Sequence, residues 1–442
     1  MSKKYYDYFK IKMKRVDMFQ KQASLNLIPG TEPEMNSPYF WLSRLDHIDE
    51  TILTDEDIRQ LNDSSLLRKL INNVNEPLRQ LSSLHRLIDQ CKESVQEYQE
   101  MFMKKELHLL NGKRLTVERI MPYFNYVVWY KKPVFAMLCH HSDERLLPIA
   151  DVWMEKPDDF EFDFLQNNAL DFGTLCWICA ETPDNRWVLQ INQSTCGWIL
   201  KENIAVLEND AHVIQEKQLT VISAYAPLFA DSDCTRFTGT VRMGASLYFR
   251  DESASAYGIF DPSNSTGISY ILKKDVCHGY LTCTLRNIFE QAFKFLHLPY
   301  GWGDSHQFID CSKFLQLTFA TFGIFLPRNG ITQGKAGHTL YHSETPLAET
   351  ESMETWLIRK TLPGISFLRF PGHIMLYIGH YKEKAYVLHC LYKYLEQEGD
   401  DTIIRVVNRM VVTDLYPGET SNAGSFLKRL SQVNCLKMTK DM

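Results

Sequence analysis

Apolar residues in the first hundred positions recur at helical spacing, and then give way to short β-rich runs. Ile58, Leu61, Leu66 and Leu67 follow Thr54, which stands as an N-cap with Asp57 in the first turn. Leu78, Leu81, Leu84, Leu87 and Ile88, three and four apart, mark one face of a second helix. From 113 to 205 the pattern changes: Thr174–Cys179, Trp187–Ile191 and Gly197–Ile199 are short apolar runs separated by turns, one of them Pro183-Asp184-Asn185. Close spacing of short strands predicts a small barrel. A second β-rich stretch, roughly 218–271, predicts another of the same kind, although no strict repeat is visible.

The last third changes period again. Leu285, Ile288, Phe289, Ala292, Phe293 and Leu296 predict an amphipathic helix that stops before Pro299. A Gly-rich loop, Tyr300 to Asp304, is followed by Asp310-Cys311-Ser312 and a second helix through Phe314, Leu315, Thr318 and Phe319, with Gly323 as its stop. Two nearly continuous apolar runs, His373–Gly379 and Tyr386–His389, predict strands covered on both faces. Helix first and sheet second is an α+β order. The expected architecture is therefore multidomain α+β. It has a helical N-terminal segment (1–112), a first small barrel (113–205), a second (206–284) and a C-terminal α+β domain (285–442).

Composition narrows the function classes. The 442 residues are 45% hydrophobic and 12% aromatic, with a formal net charge of -6, so nothing suggests a nucleic-acid surface. No apolar run approaches the roughly 18–20 residues needed to cross a bilayer, and the basic start, Met1 to Arg15, leads into no long apolar core. Eleven cysteines, an odd number scattered over a long chain, point to reduced thiols rather than a disulfide framework. A cytoplasmic monomer is the expectation; an exported protein missing its signal would read the same way.

The chemistry concentrates around Cys311. It sits where a loop turns into a helix, and a helix start favours thiolate over thiol. His373 opens one buried strand and His389 lies on the next; antiparallel pairing would put both imidazoles on one face, as base and orienting group. A buried cysteine is more often inert, and a strand histidine is more often a satisfied core residue. Spacing alone leaves both readings open. Cys176 and Cys179 have zinc-ligand spacing without a second pair, and His338 and His342 lack the glutamate of a zinc peptidase helix, so neither set is read as a metal site.

A resemblance sharpens this. Leu298-Pro299-Tyr300-Gly301-Trp302-Gly303-Asp304, Asp310-Cys311-Ser312, Gly323-Ile324-Phe325-Leu326-Pro327-Arg328 and Gly372–Gly379 occur in the order that marks the NlpC-type murein peptidases. Pro38–Leu42 resembles the N-terminal segment of multidomain members, and 173–204 resembles their bacterial SH3-like domain. The resemblance implies a papain-like peptidase core and hydrolysis of the γ-D-glutamyl-L-diamino-acid bond of peptidoglycan peptides, with Cys311, His373 and His389 catalytic and no cofactor or metal. It further implies that Asp310, Ser312 and Tyr300 hold the free amine of an N-terminal L-Ala. Glu161, Asp163 or Trp198 would close that end of the cleft. Two residues depart from the family pattern: Lys313 and Asp304 both stand where glycine is usual. The alternative reading is a wall-binding protein with an inert peptidase fold.

Overall fold

The computed structural model describes residues 28–73, 84–207, 218–344 and 351–437. Leu78, Leu81 and the basic start from Met1 to Arg15 lie outside them. The described chain is mixed α+β, with two seven-stranded sheets, a six-stranded C-terminal sheet and helices packed between them.

The first predicted helix is present as α1 (Asp55–Leu67). Its capping box is complete: Asp57 N–H donates to Thr54 Oγ1 at 3.2 Å, and Thr54 N–H to Asp57 Oδ2 at 2.8 Å. The second is longer than its pattern suggested, α2 (Leu84–Met103). The two helices pack in different places. α2 sets Leu87, Ile88 and Cys91 into the core of the first sheet, beside Trp177, Leu189 and Trp198. The short helix Pro38–Leu42 and Leu61 of α1 join the core of the C-terminal sheet, where Trp41 meets Tyr386 at 5.2 Å.

The first sheet runs from Val128 to Val206 and contains the three strands read from sequence, as Leu175–Glu181, Trp187–Ile191 and Cys196–Leu200. Their antiparallel registers pair Trp177 with Ile191 and Leu189 with Trp198. Cys176 and Cys179 are fully buried within the first of these strands. The second sheet spans Gln218 to His278. Among the described residues no strand pairing closes either sheet into a barrel.

The C-terminal domain opens with α3 (Leu285–Phe293), which buries Ile288, Phe289, Ala292 and Phe293 as its period requires. α4 (Cys311–Ala320) follows, and then six antiparallel strands: β1 (His338–His342), β2 (Ser366–Phe370), β3 (His373–Tyr381), β4 (Lys384–Glu398), β5 (Asp401–Asp414) and β6 (Gln432–Cys435), in the order β1-β6-β2-β3-β4-β5. Ile374, Leu376, Ile378 and Leu388 face α3 and α4, while Met375, Tyr377 and Val387 pack on the other side. Covering on both faces is what their unbroken apolar character called for. The short helix α5 (Phe426–Arg429) contributes Phe426 to that second layer.

Candidate active site

Cys311 is the first residue of α4, and Asp310 is its N-cap: the carboxylate accepts from Ser312 N–H at 3.1 Å and Lys313 N–H at 2.8 Å. The loop before it turns through positive φ at Gly303, Asp304, His306 and Gln307. A side chain at Gly303 would stand 2.5 Å from the Gln166 carbonyl, so this contact with the first sheet requires glycine. The thiol is half-buried and takes the Ile374 N–H, one residue beyond His373. Burial and the Asp310 charge push the thiol up to about 12, against the opposing pull of that N–H and of Arg328.

The two histidines meet as antiparallel pairing of β3 and β4 predicts. His373 Nε2 and His389 Nδ1 are 2.6 Å apart, with ring centroids at 4.9 Å. His389 is fully buried, and its Nε2 lies 3.0 Å from Thr413 Oγ1 on β5. His389 pairs in register with Val411, so Thr413, two residues on, shares its face. A base at His373 Nδ1 requires the proton on Nε2, donated to His389 Nδ1; His389 then donates from Nε2 to Thr413. The chain of two bonds through three residues is consistent in that one tautomer. Thr413 was invisible in the sequence, because no local pattern links a threonine on β5 to a histidine on β4.

Burial lowers His373 to about 3, helped by the Arg429 charge, and places His389 well below its ordinary value. A thiol pushed up to about 12 beside an imidazole near 3 rests as a neutral pair, not as thiolate and imidazolium. Both shifts run against the preference of a helix start for thiolate. Alkylation of Cys311 by iodoacetamide, a neutral reagent, should therefore keep rising with pH above 8. A plateau reached in the acid range would overturn this.

Asp310 is also not waiting for a cation. Arg328 supplies one, with Nη2 at 2.7 Å from Oδ2 and Nη1 at 3.1 Å from Oδ1. The Ser312 hydroxyl donates to the same Oδ1 at 2.9 Å. Asp310 is thus held below the usual carboxylate range by Arg328 and its hydrogen bonds, despite its burial. It also takes up two of the N–H groups expected to stabilise an oxyanion, which leaves that role at the helix start to the N–H of Cys311 itself. Because Arg328 already balances Asp310, a free L-Ala amine is not needed to neutralise that carboxylate. Acetylating that amine should cost less than about tenfold in kcat/KM, and a hundredfold loss would restore the charged contact.

The two departures from the family pattern are partners. Lys313 Nζ lies 2.9 Å from Asp304 Oδ2, with side chains 5% and 0% exposed. Around them Arg328 reaches Asp304 at 3.4 Å, and Arg242 lies 3.5 Å from Asp304 and 2.9 Å from Asp171. Asp171, Asp304 and Asp310 thereby balance Arg242, Lys313 and Arg328. Lys313 also donates to Asn168 Oδ1 and the Ala169 carbonyl, at 3.0 and 3.1 Å. The cluster joins α4 to both seven-stranded sheets, through 168–171 and Arg242.

Tyr300 stands by Cys311 and Asp310, and burial, with the Asp310 charge beside it, raises its phenol well above the ordinary value. Its ring meets Tyr392 at 5.6 Å and Phe162 at 6.5 Å, and Phe162 also meets Trp302 at 5.2 Å. The wall from the first sheet is therefore made by Phe162, between the two acids read from sequence. Asp163 is committed elsewhere: its carboxylate pairs with Arg145 at 2.6 Å and accepts the N–H groups of Trp153 and Leu165, while its carbonyl receives Trp302 Nε1 at 3.1 Å. Glu161 lies next to Phe162 and is exposed. Trp198 is 2% exposed in the core of the first sheet, so it cannot line a cleft. An apolar strand residue was mistaken for a site residue.

No curated protein matches the sequence. Among solved structures, the chain is similar to an NlpC/P60 endopeptidase from Photobacterium damselae subsp. piscicida. The identity is 18%, the match covers 91% of this chain and 97% of that one, and the TM-score is 0.69. At that identity the likeness establishes the shared fold. An NlpC/P60 family protein from Bacillus cereus aligns over 61% of this chain and 82% of its own at 15% identity, with a TM-score of 0.46, too low to add to the fold argument. The model of the NlpC/P60 family matches residues 297–395, the segment that carries Cys311, His373 and His389. The C-terminal domain of this chain is an NlpC/P60 domain.

Proposed function

We propose that the chain is a cysteine endopeptidase that hydrolyses the γ-D-glutamyl-L-diamino-acid bond of peptidoglycan stem peptides. The observation that carries the reading is the bonded chain His373–His389–Thr413, placed one residue from the N–H that holds the Cys311 thiol.

In the proposed mechanism the free Nδ1 of His373 takes the thiol proton as Cys311 attacks the γ-carbonyl. The imidazolium returns it to the leaving amine, and water resolves the thioester. The neutral resting pair means that charge separates only when substrate displaces water and places a carbonyl at the thiol. Phe162, Tyr300, Trp302 and Tyr392 form the apolar wall against which the N-terminal end of the peptide lies. The two seven-stranded sheets serve as SH3-like modules, with boundaries near 113–205 and 206–284, and the first adds Phe162 to this wall. The test is incubation with L-Ala-γ-D-Glu-diamino-acid peptide and mass analysis of products. Release of L-Ala-D-Glu supports the reading, and an intact peptide under conditions where the protein is folded removes it.

A further inference from the structure

Arg429 is a cation close to the histidine proposed as base. It is the last residue of α5, half-buried, and its guanidinium carbon lies 4.2 Å from the ring centroid of Phe370. Phe370 in turn meets His373 at 5.4 Å, and Phe426, from the same turn as Arg429, meets His373 and His389 at 6.3 and 5.8 Å. Among the described residues no carboxylate pairs with Arg429. The fully buried guanidiniums of Arg145, Arg242 and Arg328 each hold an aspartate. A guanidinium laid on an aromatic face keeps its planar edge of N–H donors directed sideways, and that edge matches a carboxylate in two-point geometry.

We propose that Arg429 is a substrate-binding residue that takes a carboxylate of the peptide next to the scissile bond. This rests on the peptidase reading above. A γ-linked glutamyl residue carries a free α-carboxylate next to the bond being cut, and the leaving amino acid can carry a second; the chemistry at Arg429 is the same for either. The site also links binding to catalysis. Arg429 is, after burial itself, the main influence lowering His373, with Asp310 opposing it. A carboxylate on Arg429 cancels that influence at the moment when His373 must accept a proton. Peptides lacking the carboxylate would leave the imidazole a poor base.

The test uses two reagents that differ in this charge. Cys311 in the full chain is alkylated with iodoacetate or iodoacetamide, and the modified residue is identified by peptide mass, since Cys234 and Cys277 are also partly exposed. The iodoacetate-to-iodoacetamide rate ratio in the native protein should exceed that in Arg429→Met by about tenfold to a hundredfold, with Arg429→Lys between. Arg429→Met retains an apolar stem over Phe370, and an unchanged unfolding midpoint shows that the fold is kept. Equal ratios in the native chain and Arg429→Met would overturn the proposal. A second arm compares the peptide with forms amidated at the glutamyl α-carboxylate or at the carboxylate of the diamino acid. The amide that costs about tenfold or more in the native chain, and nothing in Arg429→Met, identifies the carboxylate bound; no such loss for either also overturns the proposal. An iodoacetate preference that depends on Arg429, in a protein that cuts no cell-wall peptide, would support the carboxylate site and remove the substrate reading alone.

Discussion

Cys311→Ala is expected to lower turnover of the L-Ala-γ-D-Glu-diamino-acid peptide by at least about a thousandfold, with no loss of folding. In the proposed mechanism the thiol at the start of α4 is the nucleophile, with no second nucleophile assigned beside it. The sulfur accepts the backbone N–H groups of Ile374 and Ser312, so alanine removes only weak acceptor contacts, a loss of about 1 kcal/mol that leaves the fold intact. His373→Ala should be nearly as damaging, because a thiol pushed up to about 12 is almost wholly protonated at neutral pH without its base. His389 acts through His373, so its removal should cost less than either. As His389 is fully buried, alanine there also opens a cavity, and the informative change is His389→Gln, whose amide can accept from His373 and donate to Thr413. We expect His389→Gln to recover at least about tenfold over His389→Ala in kcat/KM. A His389→Ala variant less active than His373→Ala, at equal unfolding midpoints, would exchange the two roles.

The second large effect is on stability. Asp304 and Lys313 both stand where the family pattern has glycine, and they meet 2.9 Å apart in a buried cluster. Asp304→Gly leaves three cations facing two carboxylates with no water to screen them, and Lys313→Gly leaves the reverse. Breaking one side of a buried pair costs about 3–5 kcal/mol, and glycine inside a helix adds about 1 kcal/mol to the Lys313 change. The double variant restores the charge balance. It also relieves the backbone, since Asp304 sits at φ +68°, where glycine is unstrained. Chemical denaturation should therefore show the double variant more stable than the sum of the single losses predicts, by about 2 kcal/mol or more. Losses that add to within about 0.5 kcal/mol would show that the two residues act independently.

Both predictions bear on how the site is held. Ion pairs on a protein surface are worth little, but here six charges share one buried volume between α4 and the two other sheets. Removing one partner affects the helix that carries the nucleophile and the contacts that build the cleft wall.

Much of the molecule was legible in the sequence. The Thr54–Asp57 cap, the buried faces of α3 and α4, and the doubly covered strands β3 and β4 follow from periodicity, because burial on a helix or strand recurs at fixed spacing. Local motifs name Cys311, His373 and His389 as candidates, and strand pairing brings the two imidazoles together. Other features depend on which distant segments meet, and that is set by packing. Thr413 completes the histidine chain through the register of β4 and β5. Arg328 cancels the charge of Asp310 from 18 residues away. Phe162, rather than Asp163 or Trp198, reaches Tyr300, because Asp163 is held by Arg145 and Trp198 is inside a core. The sequence by itself determined the elements and the reactive groups. The tertiary structure decided their protonation, because only burial and through-space charge set whether a thiol and an imidazole rest neutral or as ions.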